Sequence, residues 1–281
     1  MEPRWIKLDQ VDSTNNWISA YLKKEANHGE LVVLADYQES GRGQGDNSWV
    51  SRKGENLLMS MLLFPEFLSA SDQFQLTRMA SLALVDYLRS IGMASMIKWP
   101  NDIVTGSRKI AGILIELGVR GGNLTHSIIG IGLNLNQAVF PEFRIPATSV
   151  FLKTGKLVPP EGAARGVLTQ LSGRYEALRS GEPGALERAY LEKLYGIGRT
   201  ISVEPRIINR RMDLPDPGPS DTFPPDTEQP PSKGDLSDVS AEYTVTGILR
   251  GVNEYGELQL ELPGGAIRTF NSGVVRMRIE R

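Results

Sequence analysis

Apolar and polar positions along this chain follow two patterns. Through about residue 196, buried-type apolar runs alternate with segments at helical spacing; beyond it, short alternating runs are cut by tight turns. RWIKLDQ reads as a first strand. DSTNNWISAYLKK then starts a helix that Asp12 or Ser13 can cap, with Trp17/Tyr21 and Ile18/Leu22 as i,i+4 apolar pairs. LVVLADYQ (31–38) and NLLMSMLLF (56–64) read as buried strands. The apolar SDQFQLTRMASLALVDYLRSIG predicts a strong helix stopping at Gly92. MASMIKW, KIAGILIEL (109–117) and HSIIGIGLNL (126–135) read as further strands, and residues 161–196 as helical, with Leu168, Leu171, Tyr175 and Leu178 on one face.

These elements predict an α+β fold: a mixed, mostly antiparallel sheet flanked by helices over residues 1–197. The alternating tail predicts a small β-barrel or curled sheet over 198–281, with TISV (200–203) as its first strand. A Pro- and acid-rich insertion at about 206–240 interrupts this second unit. Within it, residues 213–238 hold seven of the 17 prolines, and seven acids against Lys233 alone give a net charge of −6. So few apolar side chains cannot offset ordering entropy, and the reading is a solvated loop or a docking tail for a basic partner.

Composition narrows the chemistry. The 281 residues are 40% hydrophobic and 23% charged, with a net charge of −2, so nothing global favours a polyanion partner. Absence of cysteine excludes disulfides and thiolate metal sites, and two histidines, His28 and His126, exclude a His-rich one. No secretory signal or spanning-length apolar run is present, which predicts a cytoplasmic chain with no membrane partner. The G-x-S-x-G elbow, the Walker A loop and a G-x-G-x-x-G in βαβ context are also absent.

Four polar clusters sit at the ends of predicted strands. Ser13, Thr14 and Asn15 are either a helix cap or receivers of a polar ligand beside free N–H groups. In QESGRGQGDNSW, Gly41, Gly43 and Gly45 let backbone approach a ligand, Arg42 offers a fork for phosphate or carboxylate, and Trp49 offers an apolar face to a base. KWPND (98–102) is either a turn of good turn formers or a strand end where Asn101 and Asp102 hold Mg²⁺ and a triphosphate. In RKIAGILIEL, Lys109 opens an apolar strand, Gly112 leaves room on one face, and Glu116 is embedded among apolar neighbours. A lysine placed beside a carboxylate and a phosphate would neutralise a developing phosphorane. GIGLN adds Gly130, Gly132 and Asn134.

Taken in order, STN (13–15), GRGQGDNSW (41–49), KWPND (98–102), KIAGILIE (109–116) and GIGLN (130–134) resemble the biotin protein ligases. The resemblance is strong over roughly 5–150 and only architectural beyond 200, where it implies an SH3-like barrel. It implies a class II synthetase-like catalytic domain that converts biotin and ATP, with Mg²⁺, to biotinyl-5′-AMP. Biotin then passes to a lysine of a biotin carboxyl carrier protein. On this resemblance the biotin side comprises Ser13, Thr14, Asn15, Gln38, Gly41, Arg42, Gly43, Gln44, Lys109 and Gly112. The ATP side comprises Arg42, Trp49, Lys98, Asn101, Asp102 and Asn134, with Asp102 as metal ligand and Lys109 and Arg42 as the catalytic charges. The loop would close over the adenylate and exclude water.

The loop departs from the family at Gln44, Asp46 and Asn47, which implies less positive charge over an adenylate. STN lies about a dozen residues from the start, so the N-terminal DNA-binding module of some relatives is expected to be missing, with no DNA partner. An exposed edge of the central sheet would allow a homodimer. The alternatives are a lipoate ligase and a non-catalytic biotin sensor. The STN/Gln38 polar set argues against the first, and the phosphate-side charges argue against the second.

Overall fold

A computed structural model describes residues 2–24, 29–45, 47–181, 183–205 and 244–278. The acidic insertion, Asp46 and His28 lie outside the described residues.

Seven strands form the central sheet: β1 (Arg4–Leu8), β2 (Leu31–Ala35), β3 (Leu57–Leu63), β4 (Met96–Lys98), β5 (Asp102–Thr105), β6 (Arg108–Arg120) and β7 (Asn123–Leu133). Their order is β1-β2-β3-β7-β6-β5-β4, and every pairing is antiparallel except β1 with β2. This is the mixed, mostly antiparallel sheet expected. The four-residue β5 is an addition, because its sequence follows the KWPND turn too closely to show a period of its own.

Helix α1 (Thr14–Lys24) packs Ile18 on Leu31, Val33, Leu62 and Ile128 on one face of the sheet. The opposite face carries Val32, Met59, Met61, Ile129 and Ile131, covered by α2 (Phe74–Ser90) and α4 (Pro160–Arg179). Covering both faces explains why β2 and β3 are buried at every position and read as unbroken apolar runs. The short α3 (Val150–Thr154) is capped by Ser149, whose Oγ accepts the Leu152 N–H at 3.1 Å. The helical stretch after 160 is two helices, because Gly181 at φ +87° separates α4 from α5 (Pro183–Lys193).

The C-terminal part is a five-stranded antiparallel sheet of β8 (Thr200–Pro205), β9 (Val245–Val252), β10 (Leu258–Glu261), β11 (Ile267–Phe270) and β12 (Val275–Met277), ordered β11-β10-β9-β8-β12. Its inward residues, including Ile201, Leu249, Leu260 and Phe270, continue the hydrophobic cluster beneath the large sheet. Polar anchors fix the junction. Arg78 on α2, only 1% exposed, donates to the carbonyls of Val252 (3.4 Å) and Asn253 (3.3 Å) and pairs with Glu187 of α5 at 3.5 Å. Burial lowers the pKa of this guanidinium, and Glu187 opposes the shift. Trp99, fully buried, donates its indole N–H to the Gly256 carbonyl at 2.8 Å. Gly256 sits at φ +85°, and a Cβ there would fall 2.5 Å from the Phe74 ring.

Candidate active site

Strand register builds the floor of the site. Leu58 faces Gly132, Gly132 faces Gly112, Gly112 faces Asp102, and Asp102 faces Lys98, so these five share one face in one row across the sheet. The next row on that face is Ser60, Gly130 and Leu114, followed by Leu62, Ile128 and Glu116. The two glycines at the middle of the first row leave a bare strip that α1 does not cover.

Lys109 reaches this face through an irregularity. Three residues separate it from Gly112, which in a regular strand puts the two on opposite faces. Here Ile103 pairs with Ala111 and Val104 with Lys109, leaving Ile110 as the extra residue of a β-bulge. The bulge turns Lys109 to the Gly112 side, where its Nζ lies 2.6 Å from Asp102 Oδ1 and 5.5 Å from the centre of the Trp49 ring.

Residues 41–45 and 47–49 lie against each other: the Gly43 N–H donates to Asn47 O at 2.7 Å and the Trp49 N–H to Gly41 O at 2.8 Å. The two arms approach so closely that a Cβ on Gly41 would stand 2.3 Å from the Trp49 carbonyl oxygen. Trp49 lies over the glycine strip, where a Cβ on Gly132 would meet its ring at 2.3 Å. Its indole Nε1 is buried without a hydrogen-bond partner. Gln44 extends the other way and donates to Ser272 Oγ at 3.1 Å, joining the loop to the C-terminal sheet.

A polar network forms the other end of the site. The Thr14 N–H and hydroxyl both donate to Gln38 Oε1, at 2.9 and 3.0 Å. Gln38 therefore takes the first helical N–H, a task expected of Asp12 or Ser13; Asp12 instead accepts from Asn16 Nδ2 at 2.6 Å. Ser60 Oγ is 2.6 Å from both Thr14 Oγ1 and Asn15 Oδ1. Asn15 Nδ2 donates to Glu116 at 2.7 Å, and Glu116 pairs with Arg42 at 2.8 Å, which also donates to Asn16 Oδ1 at 2.8 Å. These contacts fix the amide orientation of Asn15 and aim Arg42 across the sheet.

Most of these parts line one cleft of ≈ 1710 Å³. It is bounded by Ser13–Asn15, Gln38, the glycine loop, Lys98–Asp102, Lys109, Gly112 and Asn134. Of the expected residues, only Gly41 is outside its lining, although it shapes the loop that is inside. Two amides also tie the frame together: Asn101 Nδ2 donates to Ile113 O, and Asn134 Nδ2 to Thr148 O at 2.9 Å. Lys98 is buried at 4% exposure on the cleft wall. The sequence reading did not assign Ser60 to the site. Nor did it assign Phe140, Phe143 and Arg144 from the segment after β7, or Glu204 and Arg276 from the C-terminal sheet, all of which line the cleft except Ser60. A lone serine inside the apolar run LLMSMLL was the one available signal.

Residues 8–134 match the Biotin/lipoate A/B protein ligase family, and residues 239–278 match the Biotin protein ligase C terminal domain, together more than half of the chain. The chain belongs to the biotin protein ligase family. Among curated relatives of this family, the Bifunctional ligase/repressor BirA of Bacillus spizizenii is 32% identical over 208 residues, which are 73% of this chain. The chain spans 63% of that relative's length. The Biotin--[acetyl-CoA-carboxylase] ligase of Mycobacterium tuberculosis is 25% identical across 98% of this chain and 90% of its own. Among solved structures, a biotin protein ligase from Aquifex aeolicus in complex with biotin and ATP superposes with a TM-score of 0.72. That match covers 99% of both chains at 24% identity, and it establishes the shared fold.

Proposed function

We propose that this chain is a biotin protein ligase that activates biotin with MgATP and passes it to a lysine of a biotin carboxyl carrier protein. A biotin carboxylate oxygen bonds to the α-phosphorus, and pyrophosphate leaves with the electrons of the broken P–O bond. The acceptor amine then attacks the acyl carbon and AMP departs. The observation that carries this reading is the convergence of Arg42 and Lys109, from distant segments, on one cleft that also holds the Thr14–Gln38–Asn15 network. Two anionic reactants meet only where cations offset their repulsion, and these two supply it.

The polar network suits a ureido ring, which presents two N–H donors and one carbonyl acceptor. Glycines 112 and 132 leave room for the Trp49 ring on the sheet, where it would offer its apolar face to the base of ATP. Among the described residues no group of three or more His, Cys, Asp or Glu could hold a metal. Magnesium would enter as MgATP, carried by its phosphates, and Asp102 is the carboxylate on the cleft floor that could meet it.

The test is one reaction containing the protein, biotin, ATP, Mg²⁺ and a carrier domain, read by intact mass. A carrier that gains no biotinyl group, with no biotin-dependent pyrophosphate exchange, would overturn the reading. Competition by lipoate in the exchange assay separates the neighbouring specificity. Lipoate lacks the ureido group, so it is expected to compete weakly.

A further inference from the structure

Behind the Thr14–Gln38 end of the cleft, hydroxyl protons are in short supply. Ser60, fully buried on β3, has its Oγ 2.6 Å from Thr14 Oγ1 and 2.6 Å from Asn15 Oδ1, and Thr14 Oγ1 is 3.0 Å from Gln38 Oε1. Each of these three contacts needs a proton between its oxygens. A serine and a threonine bring one each, and the amide oxygens of Asn15 and Gln38 bring none. Thr14 and Asn15 are only 3% exposed, so bulk water does not make up the difference.

Asn15 decides how the two protons are shared. Its Nδ2 donates to Glu116 Oε2 at 2.7 Å, and that carboxylate only accepts. The amide is therefore held in one orientation, and its Oδ1 takes the single proton of Ser60. The 2.6 Å contact between Ser60 and Thr14 then draws on the Thr14 proton, in competition with the longer contact to Gln38. Donation runs from Thr14 to Ser60 to Asn15. The contact left short of a proton is the longest of the three, between Thr14 Oγ1 and Gln38 Oε1, and both residues line the cleft. Gln38 does not answer by turning its amide, because its Oε1 also accepts the Thr14 backbone N–H at 2.9 Å.

We propose that Ser60 is a specificity-determining positioning residue: by spending its proton on Asn15 and drawing in that of Thr14, it leaves Thr14 and Gln38 as paired acceptors that a ligand N–H completes. Ser60 lies behind the lining and acts through Thr14. The assignment rests on the ligase reading for its ligand, the ureido ring of biotin.

The experiment is calorimetric titration into the full chain of biotin and of the two cyclic carbamates in which one or the other ureido N–H is replaced by oxygen. The wild type is expected to prefer biotin to at least one carbamate by about 100-fold or more. In Ser60→Ala the Thr14 proton settles on Gln38. Affinity for biotin is then expected to fall about 10-fold, with that for the disfavoured carbamate unchanged, so the preference narrows by the same factor. Ser60→Thr keeps the hydroxyl and is expected to keep the preference. A residue that merely fills space weakens biotin and carbamate alike in Ser60→Ala and leaves their ratio at the wild-type value, and that result overturns the proposal. So does a wild type that takes biotin and both carbamates equally, which needs no variant to observe. If the wild type binds none of the three, the ligase reading itself fails; if it binds biotin and the ratio is unmoved in Ser60→Ala, only the role of Ser60 does.

Discussion

Removing the Lys109 ammonium is the sharpest perturbation the structure offers. The group lies 2.6 Å from Asp102, and the side chains are 29% and 16% exposed, so the pair is neither fully hydrated nor sealed from water. At an effective dielectric of about 20, two unit charges ~4 Å apart interact by about 4 kcal/mol. If most of that acts on charge developing at the α-phosphate, Lys109→Ala slows adenylate formation by about 10²–10³-fold. Part of the loss comes from Asp102, left uncompensated and facing the same phosphates. Asp102 is also the carboxylate placed to meet magnesium, so Asp102→Asn in the Lys109→Ala background is expected to slow adenylation further. The assay is single-turnover formation of biotinyl-5′-AMP from saturating biotin and MgATP, with melting temperature measured beside it. Adenylation at the wild-type rate in Lys109→Ala would refute the role given to this charge. A double variant faster than the single one would show instead that repulsion from Asp102 outweighs its hold on the metal.

Three further outcomes are expected. Gly132→Ala puts a methyl 2.3 Å from the Trp49 ring, and the loop can move where the sheet cannot; KM for ATP and biotin should rise while melting temperature changes little, as kinetics and calorimetry together would show. Trp99→Phe deletes the hydrogen bond to Gly256 O and leaves that carbonyl unpaired; chemical denaturation should register a loss of about 1–3 kcal/mol. Burial raises the phenol pKa values of Tyr87, Tyr175 and Tyr190 above the ordinary 10.0, so the folded state retains protons that the unfolded chain releases. Stability from this source is complete below pH 10 and lost as pH rises beyond it. Tyr190→Phe, whose hydroxyl has no partner, should keep neutral-pH stability and reduce the alkaline loss in a pH series of melting temperatures.

The parts of the fold legible in the sequence are those with a local cause. β2 and β3 read as buried strands because helices cover both faces, and α2 ended where Gly92 takes φ +83°. The site was legible where glycines flank a charge, as at Arg42, or where a cation opens an apolar strand, as at Lys109. What could not be read depends on register and distance. The Ile110 bulge decides which face Lys109 occupies, and nothing in KIAG marks an extra residue. Ser60 belongs to the polar network only because Thr14 and Asn15 are brought over β3. Glu116 was visible as a charge among apolar neighbours, but its partners Arg42 and Asn15 lie far away in the chain. Trp99 looked like part of the reactive KWPND string; the structure gives its indole to a carbonyl of the C-terminal sheet.

That indole, with Arg78 behind it, bears on how the molecule comes apart. The apolar side chains under the seven-stranded sheet and those inside the five-stranded one belong to a single contiguous cluster, and the turn after β9 is pinned to α2 by a charge 1% exposed. The two sheets share one interior on the α2 side, and only the face under α1 keeps a cluster of its own. A cut near residue 197 would bare greasy surface on both fragments and strand the guanidinium of Arg78 without its carbonyls. Melting is therefore expected as one cooperative event, in which the wall carrying Arg276 and the floor carrying Lys109 are lost together.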